Sequence, residues 1–157
     1  MATRKRHVTF RSARGTRSRS RGTFAAFKRD ITRTFFEILL TVKLYHWNTH
    51  SYATHKATDE LYERLNKNTD RFMEVLLGKT AADGRIVMTP RTQLSLVDLD
   101  DPKELAQKIG QFKAFLVTLN VNAGLKSIGM DNSDLFTIRD EILADLNQFL
   151  YLLTLHG

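Results

Sequence analysis

The chain has 157 residues, 42% of them hydrophobic, and contains no cysteine. This length is enough for one hydrophobic core, and the lack of cysteine excludes a disulfide scaffold and thiolate metal sites, so any metal must be held by nitrogen and oxygen ligands, as in an intracellular protein. No segment has the length and apolarity of a membrane span or a secretory signal, which predicts a soluble protein.

The net charge of +7 is located at one end of the chain. Residues 1–22 contain eight basic and no acidic side chains, whereas the remainder has 16 Lys and Arg against 17 Asp and Glu. Glycine, serine and threonine are interleaved with the arginines, which predicts a disordered segment that binds nucleic acid through its phosphates, independently of sequence. A solubilising or targeting segment is the alternative. The basic residues are Arg4, Lys5, Arg6, Arg11, Arg14, Arg17, Arg19 and Arg21.

Four amphipathic helices are predicted after this tail, in residues 23–157. The apolar residues recur at spacings of three and four from Thr23 to about Asn48, then from about 53 to 77. Asp100 or Asp101 before Pro102 predicts the start of a third helix that continues toward Ser127, and Asn132 or Ser133 predicts the start of a fourth. Residues 79–100 form a long connection, which could contain a short helix or pack as a covered crossover. This pattern predicts an all-α, ferritin-like four-helix bundle with a long crossover between helices 2 and 3.

Five residues that are good iron ligands lie within residues 46–74. A His-Trp-Asn sequence begins at His46. Two pairs of candidate ligands follow, His55 with Asp59 and Asp70 with Glu74, each with a spacing of four. This spacing places both members of a pair on one helical face. Imidazole and carboxylate together suit iron, manganese or zinc. The candidate ligands are His46, His55, Asp59, Asp70 and Glu74.

The two pairs on the second helix are too far apart for a single metal site. Asp59 and Asp70 are separated by eleven residues, or about 16 Å of helical rise, whereas a metal–ligand bond is about 2 Å long. If two copies of the helix pack antiparallel about a two-fold axis near residues 64–65, one pair of each chain lies opposite the other pair of its partner. Symmetry then gives two identical sites per dimer.

In these motifs the chain resembles the Dps family, the ferritin-like DNA-binding proteins of starved cells, over roughly residues 23–156. The five candidate ligands fall on the motif positions of the family's intersubunit ferroxidase site, although the interval from His46 to His55 is about three residues shorter than in bacterial members. The resemblance implies Fe(II) oxidation with hydrogen peroxide, iron storage in a shell of twelve subunits, and protection of DNA against oxidative stress. It also implies a short helix in the crossover near the two-fold axis.

Further roles follow from the resemblance. Trp47 lies beside the metal site in the family, although a lone tryptophan could equally be a core or interface anchor. Acidic residues near the start of the fourth helix line an entry pore in the family, and Asp131, Asp134 and Asp140 could do so here.

A rival hypothesis is a structural protein, of cellular or viral origin, that packages nucleic acid or associates with a capsid. Such a protein would use the bundle as a dimeric scaffold without ferroxidase activity, and the carboxylates would be the solvated face of a helix. Either hypothesis predicts an intracellular, nucleic-acid-associated protein, in the nucleoid, the cytoplasm or a virion.

Overall fold

The computed structural model describes residues 14–80, 85–129 and 131–155, with side chains from residue 22 onward. These residues form helices and connections but no strand. The helices are α1 (Arg14–Asn48), α2 (Tyr52–Lys79), α3 (Pro102–Thr118), α4 (Ala123–Lys126) and α5 (Ser133–Leu153), with a 3₁₀ turn at Leu119–Val121. The predicted all-α architecture of four long helices is confirmed.

The four long helices surround one apolar core. Helix α1 packs against α2 and α3, and α5 also packs against α2 and α3, so that the helices close a ring. The ring of Phe35 on α1 meets Phe72 of α2 edge-on at 5.5 Å between centroids, and Phe112 of α3 at 6.2 Å. In the part of the chain with a described structure, none of the helices is both long and apolar enough to span a membrane.

Helix α1 begins nine residues earlier than predicted. The prediction of a disordered tail over 1–22 is wrong for residues 14–22, which are helical. Arginine is a good helix former, and each residue added to an existing helix gains a hydrogen bond without a new nucleation cost. The helix can therefore extend toward the N-terminus beyond its first buried turn. Arg4, Lys5, Arg6 and Arg11 lie outside the described residues, as do the side chains of Arg14, Arg17, Arg19 and Arg21.

A short corner connects α1 to α2. The backbone N–H of Thr49 donates to the Tyr45 carbonyl at 2.9 Å, which extends the last turn of α1. Ser51 then caps α2, because its hydroxyl accepts a hydrogen bond from the Thr54 N–H at 3.3 Å. The two helices are therefore antiparallel neighbours, and the start of α2 lies beside the end of α1.

The described part of the crossover between α2 and α3, residues 85–100, runs along α1. The Lys28 ammonium donates to the Arg85 carbonyl at 3.2 Å, and the Ser95 N–H donates to the Glu37 carboxylate at 3.0 Å. Residues 85–100 contain no helix, so the short helix implied by the family resemblance is wrong for this range. The segment makes its polar contacts with α1 and buries Leu99 in the core instead.

The predicted third helix is interrupted near its middle. Helix α3 is capped by Asp101, which accepts from the Lys103 N–H at 2.8 Å, but it ends at Thr118 rather than near Ser127. Asn122 has an extended backbone, and its side chain caps α4 by accepting from the Gly124 N–H at 2.8 Å. An asparagine that bonds to the backbone in this way competes with a continuous helix.

Candidate metal centre

Three of the five predicted ligands lie together where α1 meets α2. His46 lies in the last turn of α1, and His55 and Asp59 lie near the start of α2. The two imidazole rings are stacked, with centroids 3.9 Å apart and an angle of 22° between their planes. His46 Nε2 lies 3.7 Å from Asp59 Oδ1. The short corner thus brings the two histidines into direct contact.

The two histidines are held by reciprocal hydrogen bonds. His46 Nδ1 lies 3.0 Å from the His55 carbonyl oxygen, and His55 Nδ1 lies 2.9 Å from the His46 carbonyl oxygen. Because a carbonyl oxygen can only accept, Nδ1 of each ring carries the proton and donates it. When the rings are neutral, each Nε2 therefore keeps a free lone pair. Metal-binding histidines are commonly oriented through the other ring nitrogen in this way.

The polar surroundings of His46 are compatible with a metal ligand. Two ligand atoms bound to one ion at about 2.0–2.2 Å lie about 3–4 Å apart, and the 3.7 Å between His46 Nε2 and Asp59 Oδ1 is within that range. The His46 side chain is 8% exposed, whereas that of Asp59 is 40% exposed. The group is therefore closed on the histidine side and accessible on the carboxylate side.

A lysine that was not predicted from the sequence lies beside this group. Lys43 Nζ lies 3.8 Å from Asp59 Oδ1 and 4.7 Å from the centre of the Tyr62 ring. Lys43 precedes His46 by one helical turn, and this spacing was the signal that could have identified it. Its ammonium balances the charge of Asp59, and any metal ion that binds there must compete with it.

Asp70 and Glu74 lie three turns farther along α2 and form a separate group. They line a cavity of about 290 Å³ between α1 and α2, here called the α1–α2 cavity. Among the described residues, no three His, Asp or Glu side chains of one chain already converge as metal ligands. The apolar part of the cavity wall includes Phe36, Leu39, Met73, Leu77 and Ile86.

Trp47 is not a residue of the bundle core. Its side chain is 68% exposed, and the Lys43 ammonium lies 5.9 Å from its ring. The interpretation of Trp47 as a core anchor is wrong for the single chain. An exposed indole next to the histidine pair is instead available to a partner.

The three acids predicted to line a pore have local partners in the chain. Asp131 accepts from the first backbone N–H of α5 at 3.0 Å, and Asp140 pairs with Arg139 at 2.7 Å. Asp134 pairs with Lys79 at 2.9 Å. Burial raises the pKa of Asp134, but the hydrogen bond from Lys79 and those from the backbone outweigh it, so the pKa lies below its ordinary value.

Comparison with known proteins gives one match. Neither the curated proteins nor the solved structures include a match to the chain. A family model does match residues 46–153, a range that begins at His46 and includes all five candidate ligands. This range covers more than half of the 157 residues. The chain therefore belongs to the family described as "Family of unknown function (DUF5856)".

Proposed function

We propose that the protein is a Dps-like ferroxidase that binds and oxidises Fe(II) at a two-fold intersubunit site, stores the ferric product in a hollow oligomer and protects DNA. The observation that supports it best is the reciprocal pair of hydrogen bonds between His46 and His55. When the rings are neutral, these bonds leave a free lone pair on each Nε2, and Nε2 of His46 lies 3.7 Å from the Asp59 carboxylate. Oriented neutral imidazoles next to an acid are a suitable donor set for Fe(II).

Fe(II) is the substrate, and two subunits share its binding. His46, His55 and Asp59 contribute from one chain. An antiparallel pairing of α2 with its copy brings Asp70 and Glu74 of the partner subunit opposite them. The ligands that one subunit contributes to a site are too few on their own, so only the dimer binds iron strongly. Two-fold symmetry gives two equivalent sites.

The oxidation step needs an electron acceptor, and the family resemblance supplies hydrogen peroxide. Two Fe(II) ions each lose one electron, the O–O bond of one peroxide breaks, and two protons complete two water molecules. The carboxylates of Asp59, Asp70 and Glu74 stabilise Fe(III) more than Fe(II), because hard oxygen ligands prefer the harder ion. The ferric product is then deposited inside a shell, a dodecamer by family resemblance.

The basic residues of the amino end bind DNA in this proposal. Arg14, Arg17, Arg19 and Arg21 belong to a helix that is continuous with the bundle. This continuity attaches four of the eight cations directly to the scaffold. Many arms on one shell act together, so that weak contacts with phosphates give strong, salt-sensitive binding.

Anaerobic Fe(II) titration followed by peroxide tests the shared site. The wild type should bind about two ions per dimer and oxidise them quickly. The Asp70→Ala variant should lose both properties while its fold is retained, because Asp70 is exposed. Asp100→Ala is the matched control, since it removes an exposed carboxylate outside α2. Equal loss in both variants, or no binding by the wild type, would refute the proposal.

One observation favours the rival hypothesis of a nucleic-acid-packaging scaffold without ferroxidase activity. Lys43 already neutralises Asp59, so the chain has no unbalanced carboxylate at this position that requires a metal. A scaffold should purify as a metal-free dimer, whereas the ferroxidase should form a large shell that loads iron. Solution mass measured together with metal content distinguishes these two outcomes.

A further inference from the structure

An apolar stripe is exposed along α1. Phe36 is 49% exposed, Leu40 is 43% exposed and Trp47 is the most exposed of the three at 68%. With Lys43 between them, these residues recur at spacings of four, three and four, which places them on one face of the helix. Contiguous exposed apolar residues of this kind commonly mark an interaction surface.

The α1–α2 cavity lies on the same side of the molecule as this stripe. Phe36 belongs to both, because it is exposed on α1 and also lines the cavity. The cavity has an apolar wall, and Asp70 and Glu74 supply acidic groups to its lining. One face of the chain therefore carries a protruding aromatic side chain and a recess with an apolar wall.

The register of the two helices relates the protruding residue to the recess. Lys43 and His46 both approach Asp59, so the neighbouring Trp47 lies level with residues 55–59 along the axis of α2. A two-fold axis near residues 64–65 places residues 55–59, and Trp47 beside them, opposite residues 70–74 of a second copy. Asp70, Met73 and Glu74 in this range line the α1–α2 cavity.

We propose that Trp47 of each subunit inserts into the α1–α2 cavity of the other and anchors a symmetric dimer. The proposal rests on the two-fold dimer of the proposed function but requires no iron. The charges are complementary, because Lys43 accompanies Trp47 and would approach the acidic cavity of the second copy. Self-complementarity of one patch is what a two-fold interface requires, and it places two such anchors in each dimer.

Tryptophan fluorescence gives a direct readout, because Trp47 is the only tryptophan in the chain. The metal-free full-length protein is studied with a chelator across a concentration series, with sedimentation measured in parallel. Association should shift the emission to shorter wavelength and protect the indole from acrylamide quenching. Association that leaves the indole as accessible as in the monomer, or no association at high concentration, would overturn the proposal.

Two variants and one control identify the contact. Trp47→Ala should raise the dimer dissociation constant about 30-fold or more, as truncation of a buried aromatic anchor does. Tyr151→Ala removes another exposed aromatic side chain, on α5, and should leave the constant unchanged. Glu74→Lys retains Trp47 for fluorescence and should also weaken the dimer, because Lys43 of the second copy would meet a like charge. Circular dichroism confirms that each variant is folded.

The association experiment and the Fe(II) titration test the interface and the ferroxidase separately. A dimer with a buried Trp47 that binds no Fe(II) would support this interface and refute the ferroxidase. Saturable Fe(II) binding by a dimer whose Trp47 stays exposed would support the ferroxidase and refute this interface. A Trp47→Ala variant that associates as tightly as the wild type would refute the anchor whichever result the iron titration gives.

Discussion

Gly124 provides a sharp test of how α4 is packed. This residue is buried where α4 meets α1. A Cβ atom added at Gly124 would lie 2.2 Å from the Cβ of Phe27 and 2.9 Å from the Asn122 side-chain oxygen. Phe27 is buried, and its Cβ is fixed to the backbone of α1, so it cannot swing aside. We therefore expect Gly124→Ala to displace α4 and to destabilise the protein.

The size of the effect follows from these contacts. The Cβ separation is more than 1 Å shorter than the 3.4 Å at which ordinary contacts begin. Overpacking costs about 1–3 kcal/mol, and disturbing the cap at Asn122 adds about 0.5–2 kcal/mol. We expect the free energy of unfolding to fall by about 2–4 kcal/mol. In a domain of this size the midpoint of thermal unfolding should fall by about 4–16 °C.

Gly110→Ala is the matched control for this experiment. Gly110 also lies in a helix, α3, but a Cβ there meets nothing within 4 Å. The control should gain about 0.5–1 kcal/mol, because alanine loses less backbone entropy than glycine when a helix forms. Urea unfolding at one fixed protein concentration, followed by circular dichroism, measures both variants. If both variants gained stability, the close packing of α4 against α1 would be refuted.

Three further predictions concern the charged groups. Lys43→Met should tighten anaerobic Fe(II) binding, because it removes the cation that competes at Asp59; an unchanged affinity would mean that Lys43 does not compete there. Removing residues 1–13 deletes four of the eight cations and should roughly halve the slope of log affinity for DNA against log salt concentration, whereas an unchanged slope would show that these residues do not contact phosphates. Because the pKa of Asp134 is lowered in the folded protein, its pairing with Lys79 stabilises the fold above the ordinary carboxyl pKa and ceases to do so as the pH falls. The difference in urea midpoint between wild type and Asp134→Asn should therefore shrink from about pH 6 to about pH 2; a constant difference would contradict this reasoning.

Apolar spacing predicted the long helices because each of them buries one face. Helix α2 extends only one residue beyond the predicted 53–77 at its start and two at its end, and Asp101 is one of the two predicted caps of α3. The start of α1 could not be predicted in this way. Residues 14–22 contain no large apolar side chain, so their helix depends on propensity and on continuity with the buried turns that follow.

The interruption after α3 was hidden by the same kind of pattern. Leu119 and Leu125 are both buried, on either side of the break, so the apolar spacing continues as if the helix did. What differs is the backbone at Asn122, where the side chain caps a new helix instead of extending the old one. A local choice between two hydrogen-bonding patterns leaves no trace in the spacing of apolar residues.

The candidate site shows the same limit. The spacing of four predicted that His55 and Asp59 share a face of α2, because helix geometry alone determines this. The hydrogen bonds of the histidines depend on where the corner places two backbone carbonyl oxygens, which spacing cannot show. The protonation of Nδ1 in both His46 and His55 thus has one structural cause, the tight turn at residues 49–51, which brings the backbone carbonyl of each histidine to the ring of the other.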